Sequence, residues 1–120
     1  MYGVYINCSQ YLFIDWIITG AKRYETRTRD VLKSLIGQRV ALIETGRGEP
    51  TIRATVVIKA ARTVPRAFRD LRTAACIINT PYDIKPGQSK VFYELTDVQP
   101  VEAYKLPADH INHGRSYTEF

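Results

Sequence analysis

The chain has 120 residues, of which 45% are hydrophobic, and it carries a formal net charge of +5. This length suits one domain over residues 1–120 and leaves little room for a second. Its apolar runs are shorter than the ~18 residues of a membrane-spanning helix, and its start lacks the basic flank and apolar stretch of a signal peptide. We therefore expect a cytoplasmic protein with no membrane partner.

The metal-ligating residues are few and scattered. Cys8 and Cys76 are the two cysteines, a number that fits a reducing cytosol. With His110 and His113 they make a poor metal site by ligand count. We expect neither a metal nor a cofactor.

Positive charge is concentrated in one part of the chain. Residues 22–72 hold 13 of the 17 lysines and arginines but only five of the 12 acidic residues. Such a basic half attracts polyanions through its summed field and through counterion release. A solvated basic face without a partner is the alternative.

The first elements in chain order are a strand and a helix. Residues 2–7 are β-prone, and Ser9 offers an N-cap oxygen to a helix over residues 11–19. This segment is apolar except at Asp15 and Thr19, so we predict a helix buried on more than one face. Gly20 ends the helix in a left-handed turn.

A dense group of charges follows. Residues 23–28 alternate like a short strand, which places Glu25 and Arg27 on one face and Tyr24 and Thr26 on the other. Lys22 has the wrong parity for the Glu25 face unless the turn after the helix swings it round. A junction between a helix and a strand can point several charged groups into one cleft.

The middle of the chain predicts a short helix and two strands. Asp30 can cap a helix over residues 31–36, and a buried strand over 38–45 follows. Residues 46–50 form a turn. Residues 51–60 alternate most cleanly, and their core-facing side chains are Ile52, Ala54, Val56 and Ile58.

The last third predicts one more helix and two strands. The helix covers residues 65–76, and a loop with two prolines covers 79–89. A core strand over 91–95 precedes an edge strand over 98–104, which Pro100 interrupts. Residues 105–120 form a C-terminal tail that we expect on the surface.

This element order predicts an α+β fold. Strands that alternate with long crossover helices are typical of a doubly wound sheet, and this chain lacks such helices. We predict a small mixed β-barrel with short helices covering its ends.

Four segments together resemble the ASCH domain (activating signal cointegrator homology), which belongs to the PUA-like barrels. The first is the pattern Gly-x-Lys-x-x-Glu-x-Arg after an apolar helix, formed by Gly20, Lys22, Glu25 and Arg27. The others are the strand segments 36–43 and 52–58 and the closing segment 92–101. The resemblance covers about residues 8–104 and is to small bacterial or phage proteins of this type.

The resemblance implies a PUA-like barrel with a cleft beside the motif and an RNA, nucleoside or nucleotide ligand. Some small ASCH proteins are hydrolases: one group removes the acetyl group from N4-acetylcytidine, and another cuts RNA. The motif lysine of the amidohydrolase group matches Lys22, but its nucleophilic threonine stands where this chain has Glu25. A glutamate cannot replace that hydroxyl without a different mechanism.

The three motif residues also have a chemistry of their own. Arg27 can hold a phosphate or carboxylate in a bidentate fork, and Lys22 supplies a compact positive charge. Glu25 can accept a hydrogen bond from a base amino group, or act as a general base. Lys22 and Glu25 are the candidate catalytic residues if the protein is an enzyme. Alternatively, Glu25 only pairs with its two neighbours and stabilises the barrel.

Further candidates lie outside the motif core. Tyr24 can stack on a base, and Arg53 can extend the basic surface. Arg115 and Ser116 can contact ligand if the tail folds back over the cleft, the alternative being a disordered tail. Trp16 is either a stacking platform or a core residue.

The glycines of segment 46–48 raise the question of a phosphate site. Their backbone amides can cradle a phosphate or simply form a hairpin turn. The segment lacks the Gly-Lys-Ser/Thr ending of a P-loop.

Overall fold

A computed structural model describes residues 1–107 and 114–120 of the chain. It has six strands, two α-helices and one turn of 3-10 helix in these residues. Within the described ranges, neither helix has the length and apolar character needed to cross a bilayer. The strands are β1 (Tyr2–Asn7), β2 (Tyr24–Arg27), β3 (Arg39–Thr45), β4 (Thr51–Pro65), β5 (Ser89–Lys105) and β6 (Tyr117–Glu119), and the helices are α1 (Phe13–Thr19) and α2 (Arg69–Ala74).

The strands form one mixed sheet. Its order is β2-β5-β4-β3-β1-β6, with β1 and β3 parallel and every other neighbouring pair antiparallel. Arg27 of β2 donates to the Tyr5 carbonyl of β1 at 2.8 Å, although three strands separate β2 from β1 in the sheet order. The sheet therefore curves strongly and brings the two strands together. Three register shifts between β4 and β5 accompany this curvature.

The core lies inside this curve. The four residues of β4 that the alternation predicted to face the core are all buried, with exposures of 0 to 1%. Ala54, Val56 and Ile58 belong to this core, whereas Ile52 packs in a second cluster, because a register shift lies between Ile52 and Ala54. Helix α1 covers this core through Phe13, Ile14 and Ile17. The α+β class and the short covering helices are confirmed. Because β2 and β6 lie at the two ends of the sheet order, backbone ladders between the described strands do not close a barrel.

Two predicted helix starts are wrong. Helix α1 begins at Phe13 with no side-chain cap, and the Asn7 carboxamide oxygen instead accepts from the Ser9 amide at 2.9 Å. Asp30 accepts from the Tyr93 hydroxyl at 2.7 Å. The predicted helix over 31–36 is only the 3-10 turn Lys33–Leu35.

The second half of the chain contains more strand than predicted. Strand β4 continues to Pro65 because β5 pairs with it along its whole length, which leaves α2 only six residues. Pro100 does not interrupt β5. It lies opposite Ala54, next to a register shift, where the ladder tolerates a residue without an amide hydrogen.

The end of the chain is ordered into the sheet. Strand β6 pairs antiparallel with β1, and Phe120 packs against a second core cluster around Tyr5 and Ile43. The amino group of Met1 donates to the Phe120 carbonyl at 2.8 Å. No pattern in the sequence indicated this strand, because three residues are too few to show a period.

Candidate functional site

The turn after α1 brings Lys22 into the interior. Gly20 adopts a left-handed φ of 88°, and the Lys22 amide donates to the Trp16 carbonyl at 2.9 Å. The Lys22 residue is 2% exposed. Its ammonium group donates to the Ala75 carbonyl at 2.5 Å and lies 4.6 Å from the centre of the Phe13 ring. The turn therefore overcomes the parity that strand alternation alone predicts.

Strand β2 places Glu25 between two cations. Its Oε1 lies 3.7 Å from Lys22 Nζ and 3.3 Å from Arg27 Nη1. The same oxygen accepts the Thr26 amide at 2.9 Å. The Thr26 amide and both cations thus contact the same oxygen, Oε1. Arg27 is held in turn by the carbonyls of Thr26 and Tyr5, at 2.9 and 2.8 Å.

The protonation of this cluster follows from burial and from the charges in it. Burial lowers the pKa of Lys22 below its usual value, against the opposing effect of the Glu25 carboxylate. Burial acts to raise the pKa of Glu25, but the charges of Arg27 and Lys22 outweigh it and hold that pKa below its usual value. Glu25 is therefore a carboxylate at neutral pH.

A cavity of about 350 Å³ opens beside this cluster. Lys22, Glu25 and Arg27 line it, and so do Arg115 and Ser116 from the C-terminal segment. The three motif residues thus pair with one another and also face a cavity. The tail reaches this position because β6 pairs with β1.

The cavity also contains residues that sequence reasoning missed. Lys90 lines it, and its ammonium group donates to the carbonyl of Tyr82, another lining residue, at 2.6 Å. Burial lowers the pKa of Lys90. The pairing of Arg27 with Val91 brings Lys90 to this place. That pairing joins strands far apart in sequence, so no local signal could have found Lys90.

An ion pair holds the segment that carries Tyr82. Arg72 is 6% exposed, and its Nε and Nη2 bind the Asp83 carboxylate at 2.8 and 2.7 Å. The hydrogen bonds of Arg72 lower the pKa of Asp83, although burial opposes this. This bidentate pair fixes one wall of the cavity.

Two predicted ligand-binding residues lie elsewhere. Tyr24 faces away from the cavity, and its ring packs 5.9 Å from that of Phe92. Arg53 binds Asp15 at 2.7 Å and Glu44 at 3.1 Å on another part of the surface. Neither residue lines the cavity. Alternation divides the side chains of a strand between two faces, but it cannot tell which face a cavity will occupy.

Thr26 lies between the motif residues in sequence. Strand alternation predicts its side chain on the face opposite to Glu25. Thr26 is among the residues that line the cavity and is 8% exposed, and its backbone amide and carbonyl bond to Glu25 and Arg27. A hydroxyl-bearing residue is therefore next to the Lys22–Glu25 pair.

The predicted phosphate segment and the metal-ligating residues lie apart from this cavity or outside the described residues. The segment 46–48 is an exposed connection between β3 and β4, and it lines neither this cavity nor the larger one described below. No group of three metal-ligating side chains occurs in residues 1–107 and 114–120. His110 and His113 lie outside the described residues.

Comparisons with known proteins complete the description. No protein-family model and no curated protein matches the chain. Among solved structures, it is similar to the ASCH protein of Zymomonas mobilis, with a TM-score of 0.77 and 16% identity over 99% of this chain and 86% of the other. A Tyr→Phe variant of that protein matches at a TM-score of 0.72 and 15% identity, with coverage of 99% and 88%. A likeness at this identity establishes the fold, and the chain therefore has the fold of the ASCH proteins.

Proposed function

We propose that the protein binds RNA, or a nucleotide-like ligand, in the cavity beside β2. The observation that carries this proposal is the convergence of four cationic side chains around one carboxylate in a cavity of about 350 Å³. Such a volume lies at the small end of ligand pockets, and it suits a single nucleotide. The cations are Lys22, Arg27, Lys90 and Arg115.

The cavity residues divide between phosphate and base recognition. Arg27 is part-exposed and Arg115 is exposed, so both guanidinium groups can approach a phosphate. The ammonium groups of Lys22 and Lys90 donate to backbone carbonyls. They therefore attract the ligand through their positive electrostatic field and do not bind it directly. Glu25 receives the Thr26 amide and its two cations on Oε1. We infer that its other oxygen accepts a base amino group, as acidic side chains do with cytosine N4.

Two broader observations support an anionic ligand. The basic half of the sequence includes Lys22 and Arg27, so the field that attracts a polyanion extends beyond the cavity. The ASCH resemblance implies the same class of ligand. A binding module on this fold needs no cofactor and no covalent step.

Affinity for a single-stranded RNA oligomer, measured by fluorescence anisotropy at two salt concentrations, tests the proposal. Arg27→Ala removes a charge-assisted phosphate contact, so we expect the dissociation constant to rise by about tenfold or more. Arg53→Ala is the matched control, because it removes one arginine outside the cavity. Equal affinity of wild type and Arg27→Ala at fixed ionic strength would rule out this site.

Arg27 also bonds to the backbone, so the variant needs a structural check. Circular dichroism and a thermal melt show whether the fold survives loss of the bonds to the Tyr5 and Thr26 carbonyls. Arg115→Ala provides a second variant at the exposed side of the cavity. Weakened binding in both variants with the fold intact supports the cavity as the binding site.

A hydrolase acting on RNA or on an acylated nucleoside is the second candidate. It is favoured by the buried Lys22, whose pKa is lowered by burial, beside a carboxylate in a ligand-sized cavity. In this reading the Glu25 carboxylate is the general base and Lys22 positions or activates the attacking group. Thr26 is the hydroxyl-bearing residue next to them.

Turnover assays separate the hydrolase from the binding module. We expect Glu25→Gln to abolish hydrolysis while circular dichroism stays close to that of the wild type. A wild-type protein that hydrolyses no member of a panel of acylated nucleosides and RNA oligomers is not a hydrolase for those substrates. Binding without turnover leaves the first proposal in place.

A further inference from the structure

A second and larger cavity lies next to the first. Its volume is about 500 Å³, and it is lined by Tyr11 and Trp16 together with Arg69 and the polar side chains of Thr73 and Asn79. Both aromatic residues are half-buried, and Arg69 is exposed. No acidic residue of the described chain lines it. An aromatic wall with a cation at its edge suits a planar ring that carries a phosphate.

The two cavities share a thin wall. Ala21 lines the second cavity and Lys22 the first. In the same way Cys76 lines the second and Ile77 the first. Two separate segments of the chain thus present adjacent residues to opposite sides. The two spaces are therefore one residue apart, which is within the reach of neighbouring nucleotides.

An aromatic cluster runs through this wall. Tyr11 lies 6.4 Å from Trp16 on the side of the second cavity. It also lies 5.5 Å from Phe13, which lines the first cavity. Phe13 in turn lies 5.4 Å from Tyr82, which lines the first cavity as well. The rings fix one another, so Trp16 is presented in a defined orientation at little entropic cost.

We propose that the second cavity is a base-stacking subsite for single-stranded RNA. It takes the base next to the nucleotide bound in the first cavity, with Trp16 as the stacking surface and Arg69 binding the phosphate. This inference rests on the proposed function, which it narrows from a nucleotide-like ligand to an oligonucleotide of two or more units. Aromatic stacking accepts every base, so the subsite adds affinity rather than sequence preference.

The chain carries its own probe for this subsite. Trp16 is the only tryptophan of the sequence and lines the second cavity, so all intrinsic tryptophan fluorescence comes from one wall of that cavity. A mononucleotide, the corresponding dinucleotide and a longer oligomer of the same base are titrated into the wild-type protein. Calorimetry gives affinities that do not depend on the fluorescence, and free tryptophan amide corrects for absorption by the nucleotide.

We expect the oligomer to quench Trp16 emission and to bind about tenfold more tightly than the mononucleotide, as one stacked base predicts. Arg69→Ala should weaken oligomer binding several-fold and leave mononucleotide binding unchanged. Arg62→Ala is the matched control, because Arg62 is exposed and lines neither cavity. Trp16→Phe, which keeps a ring, should also reduce the advantage of the oligomer.

The outcomes separate this inference from the proposed function. Oligomer binding that depends on Arg27 but does not change Trp16 emission overturns the subsite and leaves the first cavity in place. Equal effects of Arg69→Ala and Arg62→Ala overturn it as well. Quenching that depends on Arg69 but not on Arg27 supports the stacking subsite, and the assignment of the first cavity is then the part that fails.

Discussion

Two clusters in this protein combine basic and acidic side chains in different surroundings. In the first, Lys22 and Arg27 approach Glu25 at 3.7 and 3.3 Å. In the second, Arg53 binds Asp15 at the shorter distance of 2.7 Å. The side chains of Lys22 and Glu25 are 1% and 9% exposed, whereas those of Arg53 and Asp15 are 27% and 36% exposed. The closer ion pair is thus the more solvated one.

The difference shows that burial, and not the shortest distance, distinguishes a candidate site. A solvated pair satisfies its own charges and is screened by water and salt. The buried cluster keeps its charges in a low dielectric beside a cavity, where their field acts on whatever enters. Sequence reasoning placed both Arg27 and Arg53 in one binding surface. Only the first lines the cavity.

Removal of one acidic partner from each cluster should give the largest contrast. Glu25→Ala leaves Lys22 buried without its carboxylate, so we expect the free energy of unfolding to fall by about 3 kcal/mol. Asp15→Ala, in the more solvated cluster of Asp15 and Arg53, should lower the free energy of unfolding by no more than about 1 kcal/mol. Urea denaturation at fixed ionic strength measures both. Equal losses of unfolding free energy in the two variants would mean that burial does not make the two clusters energetically different.

The dependence of stability on acid pH should show that Glu25 is ionised in the buried cluster. Its pKa in the folded state is below that of an unfolded glutamate, which is about 4.3. The unfolded state therefore binds more protons between the two values, and stability falls as the pH drops through this window. The decrease should be smaller in Glu25→Gln than in the wild type. An identical acid profile of both proteins, followed by thermal melts, would contradict the ionised carboxylate.

At alkaline pH, Lys22 should also make stability increase with pH. Its folded pKa is lowered by burial, so the unfolded state holds the proton more tightly. Stability should therefore rise as the pH increases from the folded pKa toward the unfolded value of about 10.4. Lys22→Met removes this rise, which melts between neutral and alkaline pH can detect.

Arg115→Ala tests the contribution of the C-terminal segment. Arg115 is exposed at the cavity, so we expect RNA affinity to fall about threefold to tenfold, the range for an exposed phosphate contact. Stability should change by less than about 0.5 kcal/mol, as for most surface substitutions. Anisotropy and urea denaturation on the same samples provide both values. A large loss of stability without a loss of affinity would assign Arg115 a structural role.

A double-mutant cycle on Asp15 and Arg53 should give the smallest effect. We expect a coupling energy below about 1 kcal/mol that decreases as salt is added. RNA affinity should not follow this coupling, because neither residue lines the cavity. A coupling energy as large as the loss of unfolding free energy in Glu25→Ala would contradict the expected difference between the solvated and the buried cluster.

Much of the fold could be predicted because local periodicity reflects burial. The alternation gave the core face that Ala54, Val56 and Ile58 of β4 share, and it failed at Ile52, which lies beyond a register shift. The predictions failed where pairing over long distances decided the outcome. Pairing with β5 extended β4 to Pro65, and β6 exists because β1 offers it an edge.

The site was predictable only in part, for the same reason. The pattern of Lys22, Glu25 and Arg27 is local, so a turn and one short strand bring these residues together. Lys90 enters the cavity through the pairing of β2 with β5, and Arg115 enters through the pairing of β6 with β1. No spacing in the sequence records either pairing.

The sequence by itself therefore determined the type of element at most positions, the buried face of β4 and the local charge cluster. These features depend on side chains a few residues apart. Tertiary structure decided that Lys22 is held by a carbonyl 53 residues away. It also decided that two cavities lie on either side of one aromatic wall. Cavities form where several distant segments meet, and their shape depends on the register of the whole sheet.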